Sequence, residues 1–213
     1  MLGGSGGGTD GGRLTRDYVD SRPFAFIVAQ FRGSPRALIA LTTIEGEDLL
    51  WLSARREMIR TRHGRVVQTA GLAENLRETH ELDPDPLASN VTRRPASESR
   101  RMITIQASDG LGAMIVESRF EVKQPQPVVI LDRQHDTVLV TERCVAQGVR
   151  NWRFENQHWV DPSNGFVWRT RQYVAPGLPA LTIEVATPAP VGPFAPAPGT
   201  RPTARPMPPP PTT

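Results

Sequence analysis

The chain contains almost no cysteine and almost no lysine. Its 213 residues include a single cysteine, Cys144, and a single lysine, Lys123. One cysteine excludes an intramolecular disulfide and a four-cysteine zinc site. We interpret Cys144 as a small buried hydrophobe, because Val140 and Ala146 share its face of a predicted strand. We predict no metal site, no cofactor and no cysteine nucleophile.

Long apolar runs are also missing. No stretch of about 18 apolar residues occurs, so we predict no membrane-spanning helix. The N-terminus, MLGGSGGGTDGG, lacks the positive start and the apolar run of a secretory signal. Residues 1–17 have the composition of a Gly-rich flexible linker. With Met1 as the true start, this pattern predicts a cytoplasmic protein.

The charge of the chain is weakly basic. A formal net charge of +3 and a pI near 9.7 would favour an acidic partner. The basic residues are almost all arginines, and they alternate with acids, as in Glu117, Arg119 and Glu121. Because such alternation forms no basic patch, we predict no binding to nucleic acid.

Strand-like segments dominate the middle of the chain. Nine or ten of them, with one short helix, predict a mainly β fold: a single antiparallel β-meander over residues 18–186, curled or closed into a barrel. The helix is predicted at residues 72–81, where Leu72, Leu76 and His80 recur at i+4 before Pro84. Residues 187–213 are rich in proline and alanine and predict a disordered tail.

A hairpin at residues 151–176 is the most informative element. Turn residues DPSNG at 161–165 separate two strand-like runs that carry three of the four tryptophans. Period-two alternation places Trp168 on the face of Thr170, and Trp159 opposite Trp152. We interpret the tryptophans as core residues and expect that, if one is exposed, it is Trp159.

The face that carries Trp159, Arg169 and Arg171 is the predicted ligand-binding surface, with an acidic polysaccharide as the ligand. An alternative interpretation is structural. The two arginines could form cross-strand pairs with Glu155 or Asp161 across the turn.

Catalytic and metal-binding patterns are weak. His158 and Asp161 could act as a base and its orienting acid, and His80, Asp83 and Asp85 have a loose metal-like spacing. We interpret both sets as structural, because neither spacing fixes a third partner.

An enzyme acting on polysaccharide would need two carboxylates that converge in a cleft. Glu142, Glu155 and Asp161 are the candidates that the sequence offers. Nothing in their spacing brings them together, so no catalytic residue is predicted.

Several segments resemble a known family. GRVVQTAGL, DPL and NQHWVDPSNGFVWRTRQYVAPGLP occur in this order, and PFAFIVAQF and LLWLSARREMIRTRHGR precede them. Together they resemble the YjbF/GfcB family of bacterial lipoproteins over residues 18–185. That resemblance implies one β-rich domain and a place beside capsule and exopolysaccharide export genes, with no established catalytic activity.

The resemblance therefore implies a non-enzymatic envelope lipoprotein that assists export or assembly of exopolysaccharide or capsule. Its partners would be other proteins of the export system and an acidic polysaccharide. The alternatives are a carbohydrate-binding module that holds the polymer and, third, a polysaccharide-modifying enzyme.

The anchor of this family is a lipidated cysteine close to the N-terminus, whereas no cysteine precedes Cys144 here. We expect the true start to lie upstream of Met1. The protein would then be periplasmic and anchored in the outer membrane.

Overall fold

The computed structural model describes residues 14–94, 96–148 and 151–190, which fold mainly as β-strands. They contain one α-helix, α1 (Arg16–Asp20), and two 3₁₀ helices, Pro86–Ala88 and Val91–Arg93. The strands are β1 (Phe26–Phe31), β2 (Ala37–Glu45), β3 (Asp48–Leu52), β4 (Met58–Arg62), β5 (Arg65–Ala70), β6 (Asn75–Glu81), β7 (Ala96–Ala107), β8 (Gly110–Pro125), β9 (Val128–Ile130), β10 (Arg133–His135), β11 (Val138–Gly148), β12 (Trp152–Val160), β13 (Val167–Gln172) and β14 (Leu181–Thr187).

Twelve of these strands form one antiparallel sheet in the order β5-β4-β3-β2-β1-β14-β13-β12-β11-β8-β7-β6. The pairing of β1 with β14 joins the two halves of the chain in the middle of the sheet. The sheet curls until its edge strands, β5 and β6, approach each other, and the Leu76 N–H donates to Thr69 Oγ1 across them at 3.0 Å. This confirms the predicted mainly β antiparallel fold, with a sheet nearly closed into a barrel.

The barrel interior holds the main core. Inward-facing residues such as Ile27, Trp51 and Val116 are at most 2% exposed. At the upper end, where the β4–β5 and β12–β13 turns lie, residues 83–94 pack Leu87 and Val91 against Val167 and its neighbours. Burial of these apolar surfaces from both walls and from the covering loop is the main source of stability in such a fold.

The lower end of the barrel is where β12 begins and β13 ends. Residues 173–180 cross from β13 to β14 there and bury Val174 and Ala175 in the main core. The Gly177 N–H donates to Glu74 Oε2 at 2.8 Å, which ties this segment to the β5–β6 connection.

A second layer covers part of the outer face. Helix α1 and the β9–β10 ribbon pack Val19 and Ile130 against Phe26, Trp159 and Trp168 of the sheet. The Arg16 guanidinium fastens this layer by donating to the carbonyl oxygens of Ile130, Leu131 and Ala186, at 2.7 to 3.1 Å. Among the described residues, no helix has the length and apolar character needed to cross a membrane.

The helix predicted at residues 72–81 is wrong. Asn75–Glu81 is strand β6, with Leu76 paired to Ile105 of β7. Residues four apart share a face in a strand as well as in a helix, so the i+4 recurrence of Leu72, Leu76 and His80 does not distinguish the two. Pairing with β7 decides the outcome.

The short helix lies elsewhere, at Arg16–Asp20, and begins inside the segment predicted as linker. Thr15 caps it, because its Oγ1 accepts from the Tyr18 N–H at 3.2 Å. The rest of the predicted linker, residues 1–13, and the predicted tail from residue 191 onward lie outside the described residues.

The hairpin predicted at residues 151–176 is present as β12 and β13. A bulge alters its second strand: Trp159 pairs with Arg169, but Val160 pairs with Val167. The extra residue is Trp168, which joins the outer cluster instead of sharing the inner face of Thr170. The expected common face of Trp168 and Thr170 is therefore wrong.

Candidate functional site

The predicted ligand-binding face lies beneath the covering layer. Trp159 is only 9% exposed, because α1 and the β9–β10 ribbon pack over it. Arg169 lies over the Trp159 ring, 5.6 Å from its centroid, and donates to Glu184 and to the Val129 carbonyl. The structure thus brings Trp159 and Arg169 together, and Arg171 is half-buried nearby on the same strand. A polymer contact through these residues stays a prediction.

The expected cross-strand partners of Arg169 are different from those observed. Its guanidinium pairs with Glu184 of β14, at 2.8 Å from Nε to Oε1, instead of Glu155 or Asp161. Glu155 faces Arg143 on the outer side of β11, and Asp161 accepts from Ser163 within the turn. Arg169 does form a cross-strand ion pair, as the structural alternative predicts, but its partner is Glu184 and not one of the predicted residues.

The most exposed tryptophan is Trp152, not Trp159. Trp152 is half-buried, whereas Trp51, Trp159 and Trp168 are all at least nine-tenths buried. Trp152 lies at the lower end of the barrel and stacks on Phe154, with ring centroids 3.9 Å apart. Tyr173 meets both rings edge-on, at 6.4 and 6.2 Å. These three rings, the lower aromatic cluster, are all half-buried and present aromatic surface at the rim.

A network of buried charged side chains lies inside the barrel and reaches the loop at its upper end. Glu142 on β11 is fully buried and accepts from Arg101 at 2.7 Å and from Arg65 at 3.1 Å to both carboxylate oxygens. Arg65 also forms a bidentate pair with Asp85 of the upper loop. Two arginines and two carboxylates therefore balance their charges inside the barrel, as buried ions must.

His158 extends this network toward the opposite wall. Its Nε2 lies 3.4 Å from Glu142 Oε2, and its Nδ1 lies 3.0 Å from Thr170 Oγ1. Burial lowers the pKa of His158 and outweighs the nearby Glu142 charge. A neutral imidazole then donates from Nε2 to Glu142 and accepts from Thr170 at Nδ1.

The carboxylate of Glu142 is ionised, which suits a structural role. Burial alone would raise its pKa, but Arg101 and Arg65 outweigh burial and hold the pKa well below its ordinary value. A carboxylate that stays ionised and sealed from solvent cannot deliver a proton to a substrate. We interpret Glu142 as the counter-ion that holds Arg65 and Arg101 in the barrel.

Cys144 is buried as predicted, at 2% exposure, and it lies beside this network. Burial, with the Glu142 charge adding to it, raises the pKa of the thiol to about 12. A thiol with that pKa is not ionised near neutral pH and is a poor nucleophile.

The three candidate carboxylates of an enzyme do not converge. Glu142 points into the barrel, Glu155 lies on its outer face, and Asp161 belongs to the β12–β13 turn. No acidic pair of the kind used in glycoside hydrolysis is formed by these residues.

The predicted histidine patterns also separate. His158 contacts Glu142 and Thr170 in place of Asp161. His80 is exposed on β6, whereas Asp85 is buried on Arg65. Within the described part of the chain, no three His, Cys, Asp or Glu side chains are placed to hold a metal ion.

The network is the feature that sequence reasoning missed. Its one visible signal is Glu142, a charged residue between Val140 and Cys144 on an inward strand face. Its partners come from residues 65, 85, 101 and 158, whose convergence depends on closure of the sheet.

Comparison with known proteins shows that the chain matches one protein family. The family model described as "Group 4 capsule polysaccharide lipoprotein gfcB, YjbF" matches residues 7–185. That interval contains the barrel almost entirely, including the charged network and the lower aromatic cluster.

Two similar proteins are lipoproteins from Escherichia coli strain K12. The chain is 25% identical to the uncharacterized lipoprotein GfcB over 81% of its own length and 80% of that protein. It is 25% identical to the uncharacterized lipoprotein YjbF over 78% of its own length and 77% of that protein. The crystal structure of the hypothetical lipoprotein YmcC from Escherichia coli K12 superposes with a TM-score of 0.76 at 22% identity, over 85% of this chain and 93% of that one.

Proposed function

The chain belongs to the YjbF family of group 4 capsule polysaccharide lipoproteins, and from that membership we propose that it assists export or assembly of capsule or exopolysaccharide without catalysing a reaction. The observation that carries the proposal is the family match over residues 7–185. The relatives GfcB and YjbF are lipoproteins, which supports work in the periplasm beside the outer membrane, with other export proteins as partners.

The chemistry of the interior supports the non-catalytic part of the proposal. Its fully buried carboxylate, Glu142, is neutralised by Arg65 and Arg101 and is not exposed to solvent. The other two candidate carboxylates, Glu155 and Asp161, are tied to Arg143 and to the turn. A polysaccharide-modifying enzyme is therefore the weakest of the three hypotheses.

Deletion of the gene in its own organism tests this role. We expect less polysaccharide on the cell surface and retention of polymer inside the envelope, with total synthesis maintained. Complementation with the unchanged gene should restore the surface polymer. An unchanged surface, or equal loss of polymer in every fraction, would contradict a role in export.

Complementation with a Glu155→Gln, Asp161→Asn double variant distinguishes the non-catalytic role from that of a polysaccharide-modifying enzyme. Glu155 is exposed and Asp161 is half-buried in the β12–β13 turn, where asparagine keeps the accepting oxygen; both lie away from the charged network, so the variant should fold. We expect full restoration of surface polymer. Failure of a correctly folded variant would revive a catalytic role for those carboxylates.

Direct binding of the polymer is the second candidate, and the lower aromatic cluster favours it. Aromatic faces suit the apolar faces of pyranose rings, and Trp152, Phe154 and Tyr173 are half-buried at one rim. The predicted face with Trp159, Arg169 and Arg171 is the competing location, where an acidic polymer would meet guanidinium groups.

Affinity electrophoresis through gels that contain the purified polysaccharide distinguishes the two locations. We expect the polysaccharide to retard the Arg171→Gln protein but not the Trp152→Ala protein. Phe24→Ala, which removes an exposed aromatic ring elsewhere, is the control and should still be retarded. Loss of retardation in Arg171→Gln alone would move the contact to the predicted face. If the unchanged protein is not retarded, direct binding of the polymer is contradicted, and the accessory role in export stands without it.

A further inference from the structure

An apolar cavity of about 130 Å³ lies at the upper end of the barrel, away from the lower aromatic cluster and from the predicted polysaccharide face. Ile27, Trp51, Leu87, Phe166, Ile183 and Val185 supply its apolar wall. Its mouth is formed by the β2–β3 and β4–β5 turns, at Glu47 and His63, and His63 Nε2 lies 3.3 Å from Glu47 Oε1.

The polar atoms deep in the wall are already engaged with one another. Trp51 Nε1 donates to Thr61 Oγ1 at 2.9 Å. Thr170 Oγ1 contacts His158 Nδ1 at 3.0 Å and accepts from Gln172 Nε2 at 2.8 Å. A pyranose placed here would bury hydroxyls with few partners, which costs free energy for every unsatisfied group.

The size and polarity of the cavity match a hydrocarbon group. Engineered protein cavities of roughly 150 Å³ with apolar walls stay dry and bind benzene. The mouth is polar, because Glu47 is largely exposed and His63 sits beside it. An occupant should therefore be apolar at one end and polar at the other.

We propose that this cavity binds the apolar end of an acyl chain from an amphiphile, with the polar head held outside at Glu47 and His63. The site is separate from the proposed role in polysaccharide export, so a capsule phenotype neither supports nor contradicts it. Benzene and 1-hexanol are suitable probes, and glucose is the polar comparator.

Thermal unfolding of the full chain measures the binding. A ligand that binds only the folded state raises Tm, by about 3–5 °C when present at roughly ten times Kd for a domain of this size. We expect the rise with benzene and with 1-hexanol but not with glucose. An equal rise with glucose, or no rise at saturating probe, would overturn the proposal.

Two matched variants place the probe. Val185→Phe adds a phenyl group inside the cavity and should abolish the rise, whereas Val145→Phe adds the same group on the exposed outer face and should keep it. A rise that survives Val185→Phe would place the probe elsewhere and contradict the proposal.

An NMR measurement on the unchanged protein removes any dependence on folding of the variants. The Trp51 indole N–H lies in the cavity wall, whereas the Trp159 indole lies in the outer cluster. We expect 1-hexanol to shift the Trp51 signal and leave that of Trp159 in place. An unmoved Trp51 signal would overturn the proposal.

Phe194 follows Ala189 of the cavity wall by five residues in the sequence and lies outside the described residues, so the Phe194→Ala chain is the control for occupation of the cavity by the chain itself. Its phenyl ring has the size of benzene. Probe binding that appears only in the Phe194→Ala chain would overturn the proposal in favour of occupation by the chain itself. Equal binding with and without Phe194 would support it.

Discussion

The side-chain amide of Gln172 pairs with the backbone where the edge strand β5 begins, at Gly64 and Val66. Its Nε2 donates to the Gly64 carbonyl at 2.8 Å, and its Oε1 accepts from the Val66 N–H at 3.2 Å. Strand β5 is an edge of the sheet, so no strand is paired with it on this side. Gln172 therefore supplies from β13 the hydrogen bonds that a further strand would make, and it joins the two walls of the barrel.

Replacing Gln172 by leucine should open this edge. The buried Val66 N–H would lose its acceptor, at a cost of about 1–3 kcal/mol in the free energy of unfolding. We expect the Val66 amide to exchange with solvent deuterium at least tenfold faster, as NMR hydrogen exchange can measure.

Gln106→Leu is the matched control, because Gln106 is exposed on the outer face of β7. It should leave exchange at Val66 unchanged. Equal protection of Val66 in both variants would show that Gln172 is not needed to hold β5.

The Glu142→Gln variant tests the charged network. Glutamine keeps the shape of the side chain but leaves Arg65 and Arg101 short of one negative charge in the interior. Breaking a buried pair in this way costs about 3–5 kcal/mol. Urea unfolding should show this loss as a lower midpoint.

Glu155→Gln is the surface counterpart, since it breaks the partly exposed pair with Arg143. Pairs of that kind contribute roughly 0–1 kcal/mol. If the two variants unfolded at the same urea concentration, the network would have no special weight in the stability of the barrel.

Acid should begin to weaken the fold at a pH above the ordinary pKa range of carboxylates, because of His135. This ring stacks on Trp168, with centroids 3.7 Å apart, and burial together with Arg133 and Arg16 lowers its pKa to about 4. The unfolded chain takes up this proton near pH 6.5, whereas the folded chain resists it. Stability should therefore decline as pH falls from about 6.5 to 4, and His158, whose pKa burial also lowers, contributes in the same direction.

His135→Phe should reduce that decline while retaining a ring against Trp168. Urea midpoints measured at intervals from pH 7 to pH 4 give the slope. Leu111→Phe, which adds a ring at an exposed position on β8 without removing a titratable group, should leave the slope as it is in the unchanged protein. An unaltered slope in His135→Phe would show that this histidine protonates equally in both states.

Local patterns in the sequence were enough for much of the fold. The hairpin of β12 and β13 follows from its turn residues, and the strand at Arg65–Ala70 follows from β-branched character after a glycine. The inward position of Cys144 follows from alternation along β11. Each of these depends on neighbours within a few residues.

Contacts between distant segments account for the failures. Trp159 alternates correctly onto the outer face, but helix α1 and Ile130, far along the chain, cover that face. The bulge at Trp168 depends on the fit of β13 between β12 and β14. Neither local propensity nor periodicity carries information about which segment covers a sheet.

Two glycines with nearly the same positive φ allow a final test of how tightly the barrel closes. Gly33 and Gly64 both have positive φ, at +85° and +82°. A Cβ on Gly33 would meet nothing within 4 Å, but a Cβ on Gly64 would lie 2.5 Å from Val167 Cβ on the facing wall.

Alanine at either position pays the left-handed backbone cost of about 1–2 kcal/mol. Gly64→Ala should lose roughly 1–3 kcal/mol more, because it overpacks the approach of the β4–β5 turn to β13. The difference in the free energy of unfolding between Gly64→Ala and Gly33→Ala isolates the clash from the backbone term. Val167→Ala in the Gly64→Ala background should recover part of the extra loss, since it removes the opposing methyl groups, whereas the same change beside Gly33→Ala should only destabilise further. Equal losses for the two glycine variants would mean that the turn can move away from β13, and that Gly64 is required for its backbone conformation alone.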